Sequence, residues 1–147
     1  MAVWAIIEYQ AELLFVQRSA RTTRAGQWCF PGGGVKRGET PEAACVREVQ
    51  EETGLQVKVQ RLVAEVGGEC YFVCALEALP LVVQLKQNEC VDYAWAAPQR
   101  LSGLGTIMNF RIVGPLLRSL GYDVNLGAAD EESLVATESR CDNGRFA

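Results

Sequence analysis

The sequence contains no histidine. That absence removes every mechanism built on imidazole: Ser-His-Asp and Cys-His nucleophile systems, phosphohistidine relays and histidine-containing zinc sites. Long hydrophobic runs are missing as well, since no stretch approaches the ~18 uninterrupted apolar residues of a membrane-spanning helix. The apolar start MAVWAIIEYQ has no basic region and carries Glu8, so neither a membrane anchor nor a signal peptide is expected. The six cysteines include no C-x-x-C pair, and the tightest spacing is Cys70–Cys74. Placed on a strand, those two thiols share one face as small core residues. Free buried thiols in a reducing, cytoplasmic setting are therefore expected over disulfides or a sulfur-bound metal. Any chemistry must use carboxylates, Lys, Tyr, Cys, hydroxyls or a bound metal.

What is present is one domain's worth of chain: 147 residues, 49% hydrophobic and 22% charged. The formal net charge of −4 argues against a stable nucleic-acid partner. Residues 128–147 hold Asp130, Glu131, Glu132, Glu138 and Asp142 against two arginines, without a periodic apolar face. They are expected to form a flexible acidic tail on a domain spanning residues 1–127. Within that domain, residues 17–37 carry Arg18, Arg21, Arg24, Lys36 and Arg37 and no acid. Directly afterwards, residues 39–52 carry five glutamates and one arginine.

Apolar, β-prone runs over 2–9 and 11–17 read as a hairpin around Gln10. A polar loop over 18–27 leads through Trp28-Cys29-Phe30 into Pro31-Gly32-Gly33-Gly34, read as a turn. Thr40 as N-cap, Pro41 in the first helical position and Gly54 just past the end bracket a helix over 41–53. Residues 55–66, 69–77, 80–86 and 91–97 read as strands. Asn109 and Gly121 bracket a second helix over roughly 110–120, interrupted by Pro115. This order suggests an α/β fold, a mixed sheet covered by helices.

On a wheel of about 100° per residue, Glu48, Glu51 and Glu52 fall within an arc of about 100°. Ala44 lies between them on the preceding turn, and Cys45, Val46 and Val49 form the apolar stripe. Like charges at these spacings, at the negative end of the helix dipole, cost on the order of 1–3 kcal/mol. A solvated acidic face is the plain explanation. A hard divalent cation, Mg²⁺ or Mn²⁺, is the alternative that removes the penalty.

The run from Gly33 to Leu55 decides between them. Gly33, Glu39 after five residues, then after seven more Arg47-Glu48-Val49-Gln50-Glu51-Glu52-Thr53-Gly54-Leu55 match the Nudix box at every defined position. At average residue usage, chance produces this in fewer than about one chain in ten million. The chain thus resembles the Nudix hydrolases, and its flanks look MutT-like. The resemblance implies an α/β/α sandwich with a central mixed sheet and a loop–helix–loop catalytic motif. It implies metal ligation by Glu48, Glu51, Glu52 and the Gly33 carbonyl, with Arg47 holding Glu48 or Glu39, and Glu39 and Gly54 shaping the box. Glu48 is the first choice of general base, with Glu52 or a residue outside the box as alternatives. Glu89 resembles a loop glutamate that serves MutT-like enzymes as a further ligand, and is equally readable as a solvated loop acid.

Arg18, and less strongly Arg24, match substrate-phosphate positions of MutT-like enzymes, while Arg21 reads as solvated. Asn109 sits near a base-reading asparagine but is equally a helix cap. Tyr71 falls where dinucleoside polyphosphate hydrolases keep a tyrosine, although its strand alternation favours the core. The implied activity is a MutT-like nucleoside triphosphate pyrophosphohydrolase acting on a small nucleotide, as monomer or homodimer. Dinucleoside polyphosphate, nucleotide-sugar or ADP-ribose hydrolysis, or nucleotide sensing without cleavage, are the alternatives.

Overall fold

A computed structural model describes residues 1–78 and 82–125. Strands β1 (Ala2–Tyr9) and β2 (Glu12–Arg18) form the expected hairpin. Its two-residue turn places Gln10 (φ 51°) and Ala11 (φ 63°) in the left-handed region, without the Asn-Gly that such turns usually carry. Then follow β3 (Trp28–Cys29), β4 (Gly32–Gly34), α1 (Pro41–Thr53), β5 (Val57–Val66), β6 (Glu69–Leu76) and β7 (Cys90–Ala96). A 3₁₀ turn (Pro98–Gly103) and α2 (Phe110–Ser119) complete the described elements. Pro115 does not break α2.

The seven strands form one mixed sheet. β1 lies parallel to β6, which pairs antiparallel with β5. Along its other edge β1 changes partner: β4 over Ala2–Trp4 and β2 at Glu8–Tyr9. β2 continues to β3 and, on its far side, to β7. This divergence gathers the end of β2, the Gly32–Gly34 strand and the start of β7 at one end of the sheet.

Alternation along β1 shows why both faces need a cover. Val3, Ala5 and Ile7 join Ala44, Cys45 and Val49 of α1 in one core, together with Cys70, Phe72 and Cys74. Trp4 and Ile6 join Phe15, Phe30, Tyr71 and, from α2, Val113, Leu116 and Leu117 in the other. The result is the expected α/β/α sandwich. Cys70 and Cys74 share the α1 face, and the five described cysteines are free and buried. Cys141 and the tail over 128–147 lie outside the described residues.

Two expectations need correction. Gly32–Gly34 is a strand rather than a turn, and none of its glycines has positive φ. Small size is what matters at Gly32: a Cβ there would sit 1.9 Å from the Val3 carbonyl oxygen. The expected strand over 80–86 is absent from its described part, 82–86. Instead, Gln84 N donates to Thr53 O (2.8 Å) and Lys86 N to Glu52 O (3.1 Å), spending these N–H groups on the unpaired carbonyls of the α1 C-terminus.

Candidate active site

Helix α1 starts and stops where its punctuation predicts. Thr40 accepts from Ala43 N, Pro41 occupies the first turn, and Gly54 adopts φ 74° with its N–H on Gln50 O. The wheel correctly isolated an acidic sector but misjudged its surroundings. Ala44 and Glu52 are buried, whereas Val46 is half-buried and Glu51 exposed: the sector is split between the side of the helix that packs near β4 and the solvent.

Arg47 is the hub of the motif. Its Nε and Nη2 donate to the two oxygens of Glu39 (2.7 and 2.9 Å), and Nη2 also reaches the Gly34 carbonyl (3.0 Å). Nη1 donates to Glu48 Oε1 (2.9 Å) and Glu51 Oε2 (3.2 Å). Both carboxylates that the sequence offered to Arg47, Glu39 and Glu48, are thus engaged. The Arg47 bond, with the Lys36 N–H that Glu39 also accepts, holds the Glu39 carboxyl down at about 2. Its bonds to Glu39 and then Glu48 push the Arg47 guanidinium further up.

Glu48, Glu52 and Glu89 converge, with one carboxylate oxygen from each lying within 4.8 Å of the others. Glu51 stays outside this group, more exposed and paired with Arg47. Gly33 faces it: a Cβ there would stand 2.7 Å from the Glu48 carboxylate. Glu52, 7% exposed, accepts the Gly32 main-chain N–H on Oε2 at 3.1 Å. Burial above all, and then the charges of Glu48 and Glu89, push its carboxyl up to about 8 against that bond. Glu48 is raised too, burial outweighing the help of Arg47. Three hard oxygen donors, mutually repelling and partly withdrawn from water, fit a hard dication such as Mg²⁺ or Mn²⁺.

The basic residues stand around this group. Arg18 donates to Thr23 O (2.7 Å) and Thr23 Oγ1 (3.3 Å), and is close enough for its charge to act on Cys29 and Glu52. Burial nevertheless pushes the Cys29 thiol up to about 11. Arg24, at φ 54°, donates from Nη1 to Asn109 Oδ1 (2.6 Å). Arg21 is exposed, as expected.

Asn109 occupies the N-cap position of α2 at φ 57°, yet its side chain makes no capping bond. Its Nδ2 donates to Glu69 Oε2 (3.0 Å). The cap reading is therefore corrected: Arg24 and Glu69 claim the amide that would have served the helix. Tyr71 is core, 1% exposed and edge-on to Phe30, with burial holding its hydroxyl up at about 12.

Sequence reasoning missed three participants. Gly32 contributes its N–H, which no residue-type pattern reports. Glu69 was an ordinary first residue of a strand after Gly67-Gly68. Lys86, whose Nζ lies 3.0 Å from Glu89 Oε1, was placed on an expected strand that is absent over its described part, 82–86. Its spacing of three from Glu89 was the available signal.

Comparison with known proteins puts this geometry in context. A protein-family model described as the NUDIX domain matches residues 1–112. The CTP pyrophosphohydrolase of Escherichia coli is 35% identical over 101 residues, 66% of this chain and 75% of that protein. The Xenopus laevis protein named nucleoside diphosphate-linked moiety X motif 6 is 30% identical over 135 residues, 84% of this chain but 60% of its own length. Among solved structures, a MutT protein from Methanosarcina mazei superposes with a TM-score of 0.65 at 24% identity, covering 81% of this chain and 93% of that one. At that identity the likeness concerns the fold.

Proposed function

The chain belongs to the Nudix family, and on that premise we propose that it is a MutT-like nucleoside triphosphate pyrophosphohydrolase. Water attacks a phosphorus of the polyphosphate, forming a new P–O bond while a bridging P–O bond breaks, and a nucleoside monophosphate and pyrophosphate leave. The observation that carries this reading is the convergence of Glu48, Glu52 and Glu89 beside the Gly33 strand.

Glu48, Glu52 and Glu89, with the Gly33 carbonyl and Glu51 at the edge, would hold Mg²⁺ or Mn²⁺. When bound, such an ion neutralises the diphosphate and makes water acidic enough to react near neutral pH. Glu48 takes the proton of the attacking water on Oε2, since Arg47 already occupies Oε1. Its raised carboxyl suits a base, and the still higher Glu52 is the alternative. Arg47 is a positioning residue that fixes Glu48 against Glu39 and Gly34. Arg18 and Arg24 meet the substrate phosphates and exchange their present partners for phosphate oxygens. Asn109, held by Glu69 through Nδ2, turns the Oδ1 that Arg24 releases toward the base.

The substrate is a small nucleotide. No helix among the described residues is long and apolar enough to cross a membrane, and a reducing cytoplasm suits the five free, buried thiols. The name of the Escherichia coli relative supports a triphosphate substrate, but not a particular base here.

A panel of nucleoside triphosphates, dinucleoside polyphosphates, nucleotide sugars and ADP-ribose, with product analysis and Mg²⁺ or Mn²⁺, tests the proposal. Pyrophosphate release from a triphosphate supports it, as does a turnover loss of at least about a hundredfold in Glu48→Gln or Glu52→Gln. Full turnover in both variants contradicts the assigned chemistry. Binding without cleavage of any panel member points to a sensing module.

A further inference from the structure

In the nucleotide-free chain the arginines already placed in the site have partners of their own, which Arg18 and Arg24 give up only to meet phosphate. Arg47 makes five bonds to Glu39, Glu48, Glu51 and Gly34. Arg18 is held by Thr23, and Arg24 by Asn109. Lys86 differs: its ammonium makes one ion pair, 3.0 Å to Glu89 Oε1, while its charge also acts on Glu51 and Glu48.

The backbone keeps it there. Lys86 N is anchored on Glu52 O (3.1 Å), and the Lys86 carbonyl accepts from both Glu89 N and Cys90 N (2.9 Å each). A tight turn tied to the C-terminus of α1 thus presents the ammonium and the Glu89 carboxylate side by side at the acidic group. Glu48, Glu51, Glu52 and Glu89 place four carboxyl groups here, and within this group only Lys86 and Arg47 supply positive charge.

Resting on the metal site of the proposed function, we propose that Lys86 is an exchangeable counter-ion and a substrate ligand. It neutralises Glu89 while no dication is bound, is displaced when a dication takes that carboxylate, and then binds a phosphate oxygen of the incoming nucleotide. The chemistry favours this exchange. The Lys86 and Glu89 side chains are 39% and 38% exposed, so the pair is weak and a hard dication outcompetes it. The freed ammonium stays on its anchored turn beside the acids, where the nearest new anion is the polyphosphate. Lysine suits this task better than arginine, being a compact charge on a flexible stem that moves between partners.

The two roles predict shifts of opposite sign. Mg²⁺ is titrated calorimetrically into the nucleotide-free full chain of wild type, Lys86→Gln and Lys86→Arg. A non-hydrolysable α,β-methylene nucleoside triphosphate is then titrated at saturating Mg²⁺. Lys86→Gln is expected to bind Mg²⁺ about two- to fivefold more tightly, because its competitor is gone. It is expected to bind the analogue about tenfold more weakly, because a charged hydrogen bond is lost. Lys86→Arg should remain near wild type in both.

Only the paired, opposite shifts support the proposal. Unchanged binding of both ligands in Lys86→Gln makes the pair a surface feature and overturns it. Weakening of both makes Lys86 a structural residue and overturns it too, as does any shift in one ligand alone. In each of these outcomes a wild type that binds Mg²⁺ keeps its metal site. A wild type that takes up no Mg²⁺ overturns the site itself.

Discussion

Gly32 and Glu52 are joined across the junction of sheet and helix, the main-chain N–H of β4 donating to Oε2 of the innermost carboxylate at 3.1 Å. That one bond favours a charge that burial and two neighbouring glutamates oppose. A site arranged in this way keeps the Glu52 proton near neutral pH until a cation arrives, and the cost of ionising it in the folded chain is measurable.

The metal-free protein is expected to lose stability as pH rises from 5 to 8. The Glu52 carboxyl stands at about 8 in the folded chain against 4.5 for an ordinary glutamate, so the folded state holds its proton over that interval and the unfolded state does not. Stability is full below the unfolded value and falls through the window by on the order of a few kcal/mol. Glu48 adds in the same direction. Glu39 acts at lower pH and Cys29 at higher pH, outside the window. Urea denaturation at several pH values checks the slope, and Mg²⁺ should flatten it by binding the charged form.

Arg47→Gln is expected to release Glu39. Its carboxyl, held at about 2 principally by the Arg47 bond, should return towards 4.5, as read by NMR titration of the carboxyl carbon. With its partner present, Glu39 contributes stability above about 4.5 that disappears as pH falls through 2. Arg47→Lys should not restore turnover, because an ammonium cannot serve Glu39 with a fork while also reaching Glu48 and Gly34.

Gly33→Ala should fold and fail in catalysis. The added Cβ would meet the Glu48 carboxylate at 2.7 Å, and that carboxylate must then shift by a sizeable fraction of an ångström. Such a displacement costs on the order of a hundredfold in turnover. Circular dichroism close to wild type, with kcat reduced and Mg²⁺ binding weakened, is the expected pattern.

Glu69→Gln is expected to change selectivity more than speed. Glu69 Oε2 accepts from Asn109 Nδ2, opposite the Arg24 bond to Oδ1, and so fixes which way the amide faces. With glutamine the amide orientation is no longer dictated. The ratio of kcat/KM between preferred and poor bases should fall by about tenfold, while kcat for the preferred one changes by less than about threefold.

What the sequence revealed of all this follows where local physics acts alone. Thr40, Pro41 and Gly54 set the limits of α1, because caps are decided within a few residues. The acidic sector was legible from periodicity, but its burial was not, because that depends on β4 approaching α1. Residues 82–86 resemble a strand in composition, yet they spend N–H groups on the carbonyls of Thr53 and Glu52. Asn109 was a plausible cap until Glu69 and Arg24, distant in sequence, took its amide. Glu89 was placed with the metal ligands by analogy alone; the fold brings it within 4.8 Å of Glu48 and Glu52.

The central claim is that Glu48, Glu52 and Glu89 exist to hold a dication beneath a diphosphate. Calorimetric titration of Mg²⁺ and Mn²⁺ into wild type and Glu52→Gln, with and without nucleotide, tests it most directly. The account predicts saturable uptake by wild type at or below millimolar concentration, weakened at least about tenfold in the variant. No heat of binding in wild type at millimolar metal, with nucleotide present or absent, would contradict it.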